Sequence, residues 1–313
     1  MTENNKLAES LERLTPDDIA PLTEIDIMKR RRAVRRELTR RFFMAVCVIA
    51  ALLSVNHMIR TFVEYRKSTE FYTELDNAEA GDIMKNSRAL SASPESFPVL
   101  SFSAAYTANG RQSISDDVQR TLLKVRSLKL SNPDIYGWIT VDGTNISYPI
   151  LQSTDNDHYL HHEYLGGYLK AGSIFVDYRC DKSIMKNHNT VIYGHNMQNG
   201  LMFSPLISFM SKDFFDENKF VYICTPEGYY TYEIFAVYKA NYLSNFNRTG
   251  FESHEAFVEY ANKMRGLSLF EREGIDFDTD SRMITLSTCT NVIWSERYSV
   301  QALLVNAFEF SGA

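Results

Sequence analysis

Residues 282–289 read Arg282-Met283-Ile284-Thr285-Leu286-Ser287-Thr288-Cys289, and residues 189–195 read Asn189-Thr190-Val191-Ile192-Tyr193-Gly194-His195. Both are short runs rich in β-branched and aromatic residues, the length of a strand and too short for a typical helix. One ends on a thiol and the other on an imidazole. Working outward, runs of the same kind occur at 138–141, 145–150, 172–177, 220–224, 229–238 and 299–308. Asp142-Gly143 separates the first two of these, a turn signal because glycine supplies positive φ. Eight strands at this spacing predict a mainly β domain closed as an eight-stranded barrel. The segment 241–280 interrupts the pattern with a helix of its own. Ser253 caps it, Phe257, Tyr260, Ala261 and Met264 form its apolar stripe, and Gly266 ends it.

N-terminal to the strands, Val118, Leu122, Val125 and Leu128 recur at helical spacing and predict a helix over 116–130. Residues 87–113 turn to Ser and Ala with Pro94 and Pro98, the composition of a linker. From 60 to about 85 the sequence is charged, with Phe62, Tyr65, Phe71, Tyr72 and Leu75 at roughly helical spacing, which predicts a juxtamembrane helix.

The 313 residues carry a formal charge of −6, with 44% hydrophobic residues and four cysteines. Collagen-like, disulfide-scaffold and wholly disordered classes are excluded, and the acidic total argues against a nucleic-acid binder. The average hides unlike segments. Residues 29–41 hold Lys29, Arg30, Arg31, Arg32, Arg35, Arg36, Arg40 and Arg41 against Glu37, a local charge of +7, whereas residues 1–28 carry −5. No charged residue follows until Arg60. The uncharged window 42–59 forms about 27 Å of helix at about 1.5 Å per residue, enough to span a bilayer. A buried core helix is the alternative, but eight cations in the preceding thirteen residues favour a span. Asn56-His57-Met58-Ile59-Arg60 is a poor signal-peptide cleavage site. Positive-inside bias then puts residues 1–41 in the cytoplasm and residues 60–313 outside. The same cations suit anionic lipid headgroups.

Cys47 lies in the span, leaving Cys180, Cys224 and Cys289, an odd number for pairing within one chain. Cys180 and Cys224 are read as unpaired structural thiols or a disulfide. If the strands ending at Cys289 and opening at Arg297 are antiparallel neighbours, the guanidinium folds back beside the thiol. His195 leaves its own strand through Gly194. A thiolate is the competent nucleophile, imidazole exchanges protons near neutrality, and the donor-only guanidinium steadies a carbonyl or an oxyanion. With ordinary pKa values of about 8.5 and 6.5, independent Cys and His are jointly thiolate and imidazolium in only on the order of 1% of molecules at pH 7.

The segment Thr285-Leu286-Ser287-Thr288-Cys289 with Arg297, and Asn189 through His195, resembles the active-site signature of sortases. Asn132-Pro133-Asp134-Ile135-Tyr136-Gly137-Trp138-Ile139, Tyr148-Pro149-Ile150-Leu151-Gln152, Lys170-Ala171-Gly172-Ser173-Ile174-Phe175-Val176-Asp177 and the helix-bearing insertion are similar to class B sortases in particular. The similarity covers roughly residues 113–308. It implies a cysteine transpeptidase that cleaves a sorting signal after Thr. Cys289 would form a thioester, His195 would protonate the departing amine and deprotonate the incoming one, and Arg297 would hold the substrate carbonyl. It further implies that Asn156, Leu160, Tyr193, Tyr242, Phe246, Asn247, Ser287 and Thr288 line the signal-peptide groove. Expected partners are secreted proteins bearing a C-terminal sorting signal, a peptidoglycan precursor or pilin lysine as amine acceptor, and membrane lipid; neither nucleic acid nor a cofactor is expected. Four segments are expected: a cytoplasmic tail (1–41), an anchor (42–59), a juxtamembrane helix and linker (60–112) and the catalytic domain (113–313). Pilin polymerisation by the same chemistry and a peptide-binding barrel without turnover are the alternatives.

Two clusters are read as structural. His158, His161, His162 and Glu163 would need a converging set of ligands to hold a metal, so a solvated polar face is the expectation. Asp276, Asp278 and Asp280 alternate but lack the glycine and terminal glutamate of an EF-hand, and read as a charged loop.

Overall fold

The computed structural model describes residues 24–83, 106–107, 110–111, 115–241, 243–289 and 295–310. The chain divides after Phe62 into two units. Helix α1 (Glu24–Asn77) runs for 54 residues, so no break separates the apolar window from the expected juxtamembrane helix. No glycine or proline lies within it to interrupt the hydrogen-bond ladder.

In the first unit, every side chain from Phe42 to Ile59 is exposed, and the helix is long and apolar enough to cross a membrane. Its one hydroxyl in the 42–55 run, Ser54, donates to the Ala50 carbonyl at 2.9 Å and so is satisfied within the helix. Just before it, Glu37 pairs with both Arg40 and Arg41 at 3.0 Å.

In the second unit, the last turns of α1 bury Ser68, Tyr72 and Leu75. Within the expected linker, Tyr106–Thr107 (β1) pairs antiparallel with Gly110–Arg111 (β2). The other linker residues lie outside the described ones. Helix α2 (Asp116–Ser131) is capped by Ser115, whose hydroxyl accepts from the Val118 amide, and it buries Leu122, Val125 and Leu128 as their spacing predicts.

Eight strands close a barrel: β3 (Ile135–Val141), β4 (Ser147–Leu151), β5 (Ile174–Val176), β6 (Asn189–Tyr193), β7 (Phe220–Cys224), β8 (Gly228–Asn241), β9 (Met283–Cys289) and β10 (Glu296–Glu309). Their order around the barrel is β10-β8-β7-β3-β4-β5-β6-β9. The β4–β5 and β6–β9 pairs are parallel and the rest antiparallel. Gly143 adopts φ +67° in the turn between β3 and β4. Register shifts opposite Gln301/Ala302, where β8 carries the extra residue Phe235, and at Leu304/Asn306, where β10 carries Val305, bend the long β8–β10 ribbon, as closure requires.

Ile139, Val221, Ile223, Ile284, Leu286 and Val300 are buried in the core, each contributing about 1.5–3 kcal/mol through removal from water. A helix α3 (Lys212–Glu217) precedes β7. Helix α4 (His254–Arg265) lies in the insertion between β8 and β9, with Ser253 accepting from the Ala256 amide at its start. Its buried stripe is the expected Phe257, Tyr260, Ala261 and Met264. Those side chains form a second core with Phe235, Tyr238, Phe246 and Leu303. Gly266 ends the helix at φ −66°, without the left-handed turn common at such positions. Cys180 and Cys224 are free and buried, and burial pushes both thiols up to about 12. They are packing residues rather than nucleophiles.

Candidate active site

Strand β9 brings the proposed functional residues together. On one side it runs antiparallel to β10, in a register that sets Arg297 opposite Cys289. On the other it runs parallel to β6, with Tyr193 opposite Ser287. The Gly194 amide extends that ladder by donating to the Ser287 carbonyl at 3.2 Å, which fixes the path of the chain into His195. A Cβ on Gly194 would stand 2.4 Å from the Ile174 side chain and 2.8 Å from the Phe203 ring, so glycine permits this close exit.

A cleft of about 200 Å³ opens at these strand ends, lined by Asn156, Leu160, Phe175, Tyr193, Gly194, His195, Ser287, Thr288 and Arg297. Of the residues singled out in the sequence, the structure places Asn156, Leu160, Tyr193, His195, Ser287, Thr288 and Arg297 around this cleft. The hydroxyls of Ser287 and Thr288 are buried and have no hydrogen-bond partner among the described residues, leaving two polar atoms at the cleft wall. The Arg297 guanidinium donates to the Glu296 carbonyl at 2.8 Å.

His195 is largely enclosed. Its Nε2 stands 2.8 Å from the Leu160 carbonyl. A carbonyl oxygen only accepts, so Nε2 carries the proton and Nδ1 is left to titrate. Burial lowers the pKa of this imidazole; the Leu160 bond opposes that shift and the neighbouring His161 adds to it. The two rings stack at 5.9 Å between centroids.

Tyr193 is held from behind by a polar network. Its hydroxyl donates to Asp177 Oδ2 at 3.0 Å and accepts from Asn247 Nδ2 at 2.9 Å. Arg179 grips the fully buried Asp177 carboxylate with two bonds, Nε to Oδ1 at 2.9 Å and Nη2 to Oδ2 at 2.7 Å. Burial alone would raise the Asp177 pKa, but the Arg179 bonds and charge, with the Tyr193 hydroxyl, hold it below the ordinary carboxylate range. Asn156 accepts from the Tyr178 amide at 3.1 Å, which orients its side chain at the rim.

Two expected groove residues stand elsewhere. Phe246 is buried in the second core, where its carbonyl accepts from the Tyr260 hydroxyl and from Gln301 Nε2. An aromatic ring on a loop over an apolar helix face gains more by entering that core than by lining a wet groove. Asn247 braces Tyr193 and is not part of the cleft wall. Tyr242 lies outside the described residues. Phe175, Gly194 and the Asp177–Arg179 pair belong to the site or its support without having been singled out as groove residues. The spacing of Asp177 and Arg179, two apart after a strand, is the one sequence trace of that brace. The rings of His158 and His162 stack at 4.4 Å, and among the described residues no group of three or more His, Cys, Asp or Glu is placed to hold a metal.

The barrel thus sets β6, which leads into His195, and β10, which opens at Arg297, on either side of β9 and its terminal Cys289. Residues 139–305 match the Sortase domain model, and the chain belongs to the sortase family of cysteine transpeptidases. Its relatives narrow this to class B. Sortase B of Listeria monocytogenes is 40% identical over 166 residues, which is 53% of this chain and 67% of that relative. The crystal structure of sortase B from Bacillus anthracis aligns with a TM-score of 0.59 at 31% identity, covering 78% of this chain and 99% of that one. Clostridium perfringens sortase B aligns with a TM-score of 0.55 at 38% identity, over 58% of this chain and 99% of that one.

Proposed function

We propose that this protein is a membrane-anchored transpeptidase that cleaves a C-terminal sorting signal after Thr and transfers the new carboxyl end to a cell-wall peptidoglycan amine. The observation that carries this reading is the register pairing of Cys289 with Arg297 on a strand whose other neighbour delivers His195. The Cys289 thiolate attacks the Thr carbonyl, and Arg297 stabilises the charge that develops on its oxygen. Collapse breaks the Thr–amine bond. The departing amine takes a proton from His195 Nδ1, and a thioester remains. An incoming amine gives a proton back to Nδ1 as it attacks, and expulsion of the thiolate completes the exchange. Burial disfavours the imidazolium form of His195, so Arg297 supplies the permanent positive charge of the trio.

Asn156, Leu160, Tyr193, Ser287 and Thr288 form the wall against which the signal peptide lies. The apolar part of α1 is the anchor, and the eight cations before it favour a cytoplasmic N-terminus with the barrel outside. The segment plan is a tail over 1–41, a span over 42–59, a helix and linker over 60–112 and the catalytic domain over 113–313. Mass spectrometry of the full chain incubated with sorting-signal peptides should find an acyl adduct on Cys289. Cleavage that persists in Cys289→Ala would sink the mechanism.

A further inference from the structure

We propose that Tyr72, near the end of α1, is a positioning residue for His195, acting through the Gly172–Ser173 backbone and the Leu160 carbonyl. This rests on the reading of His195 as the group that moves the proton, and it adds a residue more than a hundred positions away in sequence. His195 Nε2 is fixed by a bond to the Leu160 carbonyl, and Leu160 lies in a three-residue turn, His158–Leu160, with no ladder of its own.

That turn is held by the segment 169–173. The Ser173 amide donates to the Tyr159 carbonyl at 2.9 Å, the Ser173 hydroxyl to the His162 carbonyl at 2.8 Å, and the Leu169 amide to the His161 carbonyl at 2.9 Å. Gly172 adopts φ +56°, and a Cβ there would stand 2.4 Å from the carbonyl oxygens of both Tyr159 and Leu160. The backbone of Gly172 therefore lies directly against the oxygen that His195 uses.

Tyr72 in turn fixes Gly172. Its hydroxyl donates to the Gly172 carbonyl at 2.5 Å and lies 3.3 Å from Ser173 Oγ. Its ring is buried edge-on against Tyr148, 5.3 Å away at 90°, and also against Phe71, so the hydroxyl has little freedom to leave. Burial raises the phenol pKa, which keeps it a donor throughout the working range. A second tie joins the same helix to the same segment: Lys170 pairs with Glu64 at 3.1 Å and stands over the Tyr65 ring. A tyrosine valued only for apolar burial would not need its hydroxyl on this carbonyl. The phenylalanine variant isolates that difference.

The test uses the full chain in detergent micelles with isotope-labelled histidine. It follows the His195 ring titration by NMR, assigned by its absence in His195→Asn, together with kcat and KM for a sorting-signal peptide. In Tyr72→Phe the Leu160 carbonyl loosens, the bond that opposes the effect of burial weakens, and the His195 midpoint moves lower. Loss of one such hydrogen bond should reduce kcat about fivefold with KM unchanged. Lys124→Met breaks the bond from Lys124 Nζ to the Asp76 carbonyl, near the same helix end, and serves as the stability control. It should lower the melting temperature while leaving the His195 titration and kcat in place. An unchanged titration and kcat in Tyr72→Phe would overturn the inference, as would Lys124→Met reproducing both changes. Full turnover in His195→Asn would instead overturn the functional reading, with the Tyr72→Phe titration still deciding the positioning role.

Discussion

Cys289 and Arg297 meet across a β-ladder in which all seven residues of Met283–Cys289 have register partners on β10, whereas the carbonyl against His195 belongs to a three-residue turn held from outside by other loops. The first half of the cleft is fixed by backbone periodicity. A one-residue slip there would turn every side chain to the opposite face and unmake the core, so the Cys289–Arg297 pairing and the core stand or fall together. The second half is fixed by individual contacts that lie outside the barrel's ladders. Substitutions should therefore separate into those that remove chemistry, those that remove packing and those that loosen the brace between loops.

The largest effect is expected on the strand side. Arg297→Ala keeps the β9–β10 ladder, since register depends on the backbone, but removes the guanidinium from the cleft. Loss of a preorganised oxyanion donor should reduce kcat/KM by about two to three orders of magnitude, with the melting temperature nearly unchanged. Peptide-cleavage kinetics beside a thermal melt check both. A fall of less than tenfold would mean that the register pairing has no role in the reaction.

On the loop side, Phe246→Ala distinguishes packing from substrate contact. Its ring is buried with Phe235, Phe257 and Met264, so truncation should cost about 3 kcal/mol of stability through lost burial and the cavity left behind. KM should hold at temperatures where the variant stays folded. A raised KM with unchanged stability would return Phe246 to the groove.

The same division governs what could be read from the sequence. The strands were visible because β-branched and aromatic runs between turn residues leave few other solutions. The Ser253 cap and the α4 stripe were visible because each follows from local spacing. That Cys289, His195 and Arg297 fall at or beside the ends of neighbouring strands is legible because each closes, follows or opens a β-branched run. Leu160 could be named for the groove through resemblance, but its carbonyl as the partner of His195 could not: a backbone acceptor has no side-chain signature. Phe246 enters the second core, a position the sequence does not show because an aromatic residue in a loop suits a groove and a core equally until the helix beneath it is positioned. The Tyr193 brace depends on Asp177, Arg179 and Asn247 arriving from three segments, and only the first two are near in sequence.

That brace gives the smallest of the three effects and the one with a pH signature. Arg179→Ala leaves the buried Asp177 carboxylate with its own local backbone donor and the Tyr193 hydroxyl as remaining partners. Removing one partner of a fully buried pair is strongly destabilising, but the Arg179 side chain is 45% exposed and its charge is screened, so about 2 kcal/mol is expected. In the wild type the Asp177 pKa lies below its ordinary value. A depressed carboxylate contributes stability that is present above the unfolded pKa of about 4 and is lost as pH falls through the folded value. In Arg179→Ala the cause of that depression is gone and burial is left to raise the pKa. The stability gap between the two proteins should therefore be widest near neutrality and narrow as pH drops through and below about 4. Denaturant melts at a series of pH values measure that gap directly. A gap that stays constant across the acid range would mean that Arg179 acts through packing alone, and that Tyr193 is held by Asn247 rather than by the ion pair.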